Sequence, residues 1–300
     1  MEITILGTSA SIPTKERNVA GIFVRYKNDG ILFDCGEGTQ RQMNIANIKR
    51  TSVNKIFITH FHADHVAGLI GLFQTVGNES QGKQKIDLFG PIGTKERIRH
   101  LFEMTVYEIK FELNIHEITA NKKEKIHETE NYEIYALKMP HSAPCIGYSL
   151  IEKQKRNINM LKLKKLGIPE GPHLQELQKG NDITYNDKKI NVDDVTTMTK
   201  PKKFTYITDT EYNTNAIELA KESDLLILES TYHSSHEEKA KLFKHMTSQE
   251  AAQIAGQAEV KKLVLTHFSQ RYKTINDIEE EAKTIFTNTS CAYDLMTLKL

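Results

Sequence analysis

Short apolar runs alternate with polar turns and helix-like stretches along most of the chain. ITIL, GIFVRY and GILFDCG, between residues 3 and 36, read as an opening meander of strands with glycine at the turns. KIFITH is a buried strand, and HVAGLIGLFQTV after it has helical spacing of apolar positions. The same order recurs later. FTYITDT, LLILEST and KKLVLTH read as strands, while NTNAIELAKESD, TSQEAAQIAGQA and NDIEEEAKTIF read as helices. Thr247 or Ser248 is placed to cap the second of these helices, with Glu250 completing a capping box. This alternation predicts an α/β protein with two mixed sheets and helices outside them.

One stretch departs from the rhythm. Residues 152–196 are lysine-rich, carry Gly-Ile-Pro and Gly-Pro breaks, and offer little core. They are expected to form an arm inserted into a single domain spanning 1–300.

Composition changes this picture little. The chain has 300 residues, 39% hydrophobic and 26% charged, without tryptophan. It holds no run of about 18 apolar residues, so no membrane span is expected. A net charge of +1 gives the whole molecule no pull on polyanions, so a nucleic-acid partner requires locally clustered cations. Cys35, Cys145 and Cys291 are scattered and unpaired in sequence, which suits packing roles in a reducing compartment. MEITILGTSA begins as a strand rather than a leader, and a cytoplasmic location is expected.

The chemistry gathers at strand ends. THFHADH follows the KIFI strand and places His60, His62, Asp64 and His65 in one strand-to-helix loop. Imidazole and carboxylate ligands suit Zn²⁺, Mn²⁺ or Fe²⁺, and four donors on one loop are better divided between two ions than folded onto one. His141, Asp209, Glu229 and His267 also terminate apolar strands. In layered α/β proteins such ends line the ligand site.

HxHxDH resembles the signature of the metallo-β-lactamase fold, an αβ/βα four-layer sandwich. LGTSASIPTKERNVAGI, DCGEGTQRQ, ESTY, HMTSQEAAQIA and LTHFSQRY extend the resemblance to the ribonuclease Z family, and these matches run from Leu6 to Tyr272. The resemblance implies two Zn²⁺ per subunit, or Mn²⁺ or another divalent metal in their place. His60, His62 and His141 would hold one ion, Asp64, His65 and His267 the other, and Asp209 would bridge them. Asp64 would act as general base. His245, in a His-x-Thr motif, would protonate the leaving 3′-oxygen, with Glu229 orienting it. Lys15, Arg17, Asn18 and Arg271 would contact phosphates or the acceptor end. The arm, through Lys153, Lys155, Arg156, Lys162, Lys164 and Lys165, would be an exosite gripping precursor tRNA. The implied reaction removes the 3′ trailer after the discriminator base, leaves a 3′-hydroxyl, and is carried out by a homodimer.

Three departures concern the RNA contacts rather than the chemistry. Asp209 lies in Thr208-Asp209-Thr210-Glu211, where the family has Gly before the aspartate and Thr-Arg after it. The distal arm is thin in glycine, and TKPKKF replaces a Gly-Arg-containing approach to the aspartate strand. Two other readings compete: a hydrolase of the same fold acting on small phosphodiesters or thioesters, and an inactive RNA-binding protein. Retention of all the candidate ligands argues against the second.

Overall fold

The computed structural model describes residues 1–106 and 108–300. The chain divides into two compact units, one formed by 1–127, 134–150 and 203–300, the other by 128–133 and 151–202.

In the first unit, one seven-stranded sheet runs in the order Thr297–Lys299, Glu2–Gly7, Gly21–Tyr26, Asp29–Phe33, Val53–Phe57, Lys85–Pro91 and Glu112–Ile118. The Glu2–Gly7, Gly21–Tyr26 and Asp29–Phe33 strands pair antiparallel, and the pairings from Asp29–Phe33 outward to Glu112–Ile118 are parallel. A second seven-stranded sheet contains the parallel neighbours Lys203–Ile207, Leu225–Glu229, Leu263–Thr266 and Thr289–Cys291, next to Cys145–Glu152 and Tyr132–Met139. LLILE is buried at every position, as a strand covered on both faces must be.

Aromatic side chains join the two sheets. Phe33 lies 5.7 Å from Phe204 and 5.9 Å from Tyr206, and Phe57 lies 5.3 Å from Tyr148, all edge-on. Helices cover the outer faces. Leu69, Leu72, Phe73 and Val76 of the Leu69–Ser80 helix pack on the first sheet, and Ala251, Ala252, Ile254 and Ala255 of the Ser248–Gln257 helix on the second. Thr247 caps the latter in a full capping box with Glu250. The result is helix, sheet, sheet, helix. No helix among the described residues is long and apolar enough to cross a membrane.

The second unit pairs Arg156–Ile158 with Thr196–Met198 and contains a hairpin of Ile183–Tyr185 with Lys188–Ile190. It carries more core than its sequence suggests. Leu163, Ile168, Leu177, Ile183, Val192 and Val195 are buried together, because apolar residues spread thinly along the chain converge once its short helices and hairpin form.

Candidate metal centre

Five strands end within three residues of a candidate ligand or its neighbour: Val53–Phe57 before His60, Tyr132–Met139 before His141, Lys203–Ile207 before Asp209, Leu225–Glu229 at Glu229, and Leu263–Thr266 before His267. The backbone turns sharply at two of these positions. Asp209 and His267 have φ of 41° and 60°, as does Asp34 at 56°, a region that non-glycine residues enter only where the surroundings hold them. The histidine loop also presses against the segment after Asp34. A Cβ on Gly36 would meet the Asp64 carbonyl at 2.1 Å and one on Gly68 the Gly36 carbonyl at 2.2 Å, so only glycine allows this approach.

Two sets of side-chain donors result. In the first, His62 Nδ1 lies 2.9 Å from His60 Nε2 and 3.4 Å from His141 Nε2, and Asp209 Oδ2 lies 3.6 and 3.7 Å from those same two Nε2 atoms. In the second, Asp209 Oδ1 lies 3.1 Å from both His65 Nε2 and His267 Nε2, while Asp64 Oδ2 lies 3.4 and 3.5 Å from them. Asp209 therefore turns one oxygen to each set. His65 Nε2 and His267 Nε2 are buried and make no hydrogen bond among the described residues. Imidazole nitrogens and carboxylate oxygens gathered within 4.8 Å of one another suit a divalent metal in each set.

The far nitrogens are held in place. His60 Nδ1 meets Thr59 Oγ1 at 3.1 Å, His65 Nδ1 meets Asp34 Oδ2 at 2.8 Å, His141 Nδ1 donates to the Lys244 carbonyl at 3.0 Å, and His267 Nδ1 meets Thr231 Oγ1 at 3.0 Å. Such outer partners fix both ring orientation and tautomer. Burial, reinforced by the neighbouring His65, lowers the pKa of His60 well below its ordinary value and keeps the ring in its neutral, ligating form. Burial opposes ionisation of Asp64, but His267 and His65, when they carry a proton on Nε2, outweigh it and hold the carboxyl well below the usual range.

Glu229 and His245 stand beside this centre. Glu229 is fully buried, accepts from Thr210 N at 2.7 Å and Met246 N at 3.1 Å, and meets His245 Nδ1 at 2.9 Å. Burial disfavours the imidazolium, yet the Glu229 carboxylate overcomes it and raises His245 to about 9. His245 lines a cleft of about 630 Å³ together with His62, Asp64, His141, Asp209, His267 and Arg271.

Asp34 and Thr231 received no role from sequence. Asp34 lies in the quoted DCGEG stretch, and its burial against Thr59, His65 and Tyr206 is created by folding. Thr231 lies between Glu229 and His267 and donates to Glu229 Oε2 at 2.6 Å. The only sequence signal for either is proximity to the motifs.

The predicted RNA contacts fall into different surroundings. Arg17 is buried and donates to the carbonyls of Ser269 at 3.2 Å and Tyr272 at 2.9 Å, so it braces one loop against another. Asn18 Nδ2 donates to the Glu37 carbonyl at 2.9 Å. Lys15 is exposed. Arg271 is exposed, with its guanidinium over Tyr232 at 5.2 Å. Within the second unit, Lys153 pairs with Glu128, Lys155 binds Asn131, Arg156 pairs with Asp193 at 2.6 Å, and Lys162 donates to the Asp194 carbonyl at 2.9 Å. Lys164 and Lys165 are exposed to solvent.

Comparison with known proteins extends these observations to the whole chain. Residues 1–159 match the family model described as anti-Pycsar protein Apyc1, and residues 194–268 match the beta-lactamase superfamily domain. A ribonuclease Z from Picosynechococcus sp. is 38% identical over 307 residues, covering 99% of this chain and 96% of the relative. One from Methanothermobacter thermautotrophicus is 37% identical, covering 100% and 97%. The crystal structure of human tRNase Z, short form, superimposes with a TM-score of 0.74 at 28% identity, over 100% of this chain and 99% of that one.

Proposed function

The chain belongs to the ribonuclease Z family, with the metallo-β-lactamase fold, and from that premise we propose that it is an endoribonuclease removing the 3′ trailer from precursor tRNA. The Apyc1 model covers the histidine loop but stops before Asp209, Glu229, His245 and His267, whereas the ribonuclease Z relatives span all of them. The observation that carries the reading is the pairing of two donor sets, joined by Asp209, with His245, itself held by the buried Glu229, in the same cleft.

Two Zn²⁺ per subunit, or Mn²⁺ or another divalent metal, would sit in the sets His60–His62–His141–Asp209 and Asp64–His65–His267–Asp209. When bound they supply Lewis acidity and neutralise charge on the phosphoryl oxygens. The remaining work belongs to the chain. Asp64, held ionised, accepts the proton of the attacking water. As the water oxygen bonds to phosphorus, the bond from phosphorus to the 3′-oxygen of the discriminator nucleotide breaks. His245 has Nδ1 engaged by Glu229, so its Nε2 proton goes to the departing oxygen. The products are a tRNA with a 3′-hydroxyl and a trailer with a 5′-phosphate. Arg271 and Lys15 supply exposed cations for phosphates. Arg17 and Asn18 keep the loop that carries Lys15 in place. Residues 152–196 form the tRNA-binding arm of the single domain, using Lys153, Lys155, Arg156, Lys162, Lys164 and Lys165. The same reading includes a cytoplasmic homodimer.

Incubating the protein with a 3′-trailered precursor tRNA and mapping the cut tests this directly. The cut is expected just 3′ of the discriminator base, and lost in Asp64→Ala. Cleavage that survives this substitution, or an active preparation free of divalent metal, would overturn the mechanism. Hydrolysis of a small phosphodiester with no cleavage of the precursor would favour the small-substrate reading.

A further inference from the structure

The helix Glu237–Phe243 buries Ala240 completely yet leaves Leu242 74% and Phe243 52% exposed. Phe243 lines the cleft with His245, Tyr232 and Ile12, itself 48% exposed. Large apolar side chains are costly to leave in water, and here they stand at the mouth of a cleft otherwise lined mainly by imidazoles, carboxylates and hydroxyls. Tyr232 is only 6% exposed and lies beneath the Arg271 guanidinium. Of the Tyr and Phe rings that line the cleft, Phe243 is therefore the exposed one.

Its position relative to the reacting groups is also constrained. Lys244 adopts φ of 55°, and His245 N donates to the Ala240 carbonyl at 2.9 Å, closing the helix end. The Lys244 carbonyl accepts from His141 Nδ1 at 3.0 Å. The backbone is thus pinned at Lys244 and His245, and Phe243 sits two residues from the imidazole facing the leaving oxygen.

We propose that Phe243 is a stacking platform for the nucleobase of the last retained nucleotide, the one whose 3′-oxygen departs. This rests on the RNA-cleaving reading above and adds a subsite to it. Every nucleobase offers a π face, so the platform positions the scissile bond without selecting one base, and Ile12 adds apolar contact at the same mouth.

A coupling experiment on full-length protein tests the assignment. Precursor tRNA is prepared with its normal base, or abasic, at the last retained nucleotide, and separately abasic at the first trailer nucleotide. Each is cut by wild type, Phe243→Ala, Phe243→Leu and Phe243→Trp, with melting curves to establish that each variant is folded. Wild type should lose about tenfold in kcat/KM when the retained base is removed, within the range that base–aromatic stacking supplies. Phe243→Ala and Phe243→Leu should lose about as much on the intact substrate and little more on the abasic one. Phe243→Trp should retain the dependence on the base.

Penalties that simply multiply, or coupling that appears at the first trailer nucleotide instead, overturn the proposal. If wild type cuts no precursor tRNA, the RNA reading itself falls. If it cuts with no loss on the abasic substrate, only the stacking platform falls.

Discussion

The seven candidate ligands and the six candidate RNA-binding cations between Lys153 and Lys165 are both dense groups of ionisable side chains, but their surroundings differ. His60, His65, Asp209 and His267 are buried, and hydroxyl, carboxylate or carbonyl partners hold the far nitrogens of His60, His65, His141 and His267. In the second unit, four of the six find partners elsewhere in the same unit, 24 to 37 positions away, and three, Lys162 among them, are exposed. A buried donor has few alternative partners, so its geometry defines its chemistry. An exposed lysine is hydrated, screened and mobile, and its neighbours can replace it. The contrast implies steep losses for single changes in the centre and shallow ones in the arm.

Asp209→Ala should show the steepest loss. It removes an oxygen from each donor set, so bound metal should fall sharply by elemental analysis, and cleavage should drop by about 10³ or more if several kcal/mol of transition-state stabilisation are lost. Retention of two tightly held ions in this variant would break the assignment of Asp209 to both sets. His245→Ala comes next, with a loss of about 10² to 10⁴ in cleavage for a missing proton donor and bound metal retained. If metal content fell in step with activity, His245 would be a ligand instead.

Asp34→Asn preserves volume but removes the carboxylate that faces His65 Nδ1 and accepts from Thr59 and Tyr206. Loss of such an outer partner should weaken metal affinity by about 10- to 100-fold in chelator competition. Unchanged affinity would reduce Asp34 to a packing role. The smallest effect is expected of Lys164→Ala with Lys165→Ala: a loss of several-fold in tRNA binding, with the salt dependence shallower by about one per phosphate contact removed. A loss as large as that of His245→Ala would mean the arm is less redundant than its exposure indicates.

Much of the fold was legible because it depends on local spacing. The buried run LLILE, the alternating strands and the Thr247–Glu250 capping box are patterns within a few residues, and the α/β architecture follows from their order. Strand ends rich in histidine and aspartate marked where ligands would gather. Asp34 was not legible, because its partners lie 25, 31 and 172 positions away and nothing local distinguishes it from a turn aspartate. Arg17 shows the same limit. Nothing in PTKERN announces that folding brings the carbonyls of Ser269 and Tyr272 to its guanidinium from more than 250 positions away.

The sequence by itself determined the kinds of elements, their order and the residue types at the strand ends, since these depend on periodicity and side-chain chemistry. Only the tertiary structure decided which oxygen of Asp209 faces which group of imidazoles, that Asp34 and Thr231 hold ring nitrogens in place, and that Phe243 stays half exposed in the cleft His245 lines. The physical reason is that a hydrogen bond or a shared carboxylate requires atoms within about 3 Å, and only the packing of the two sheets brings such distant segments that close.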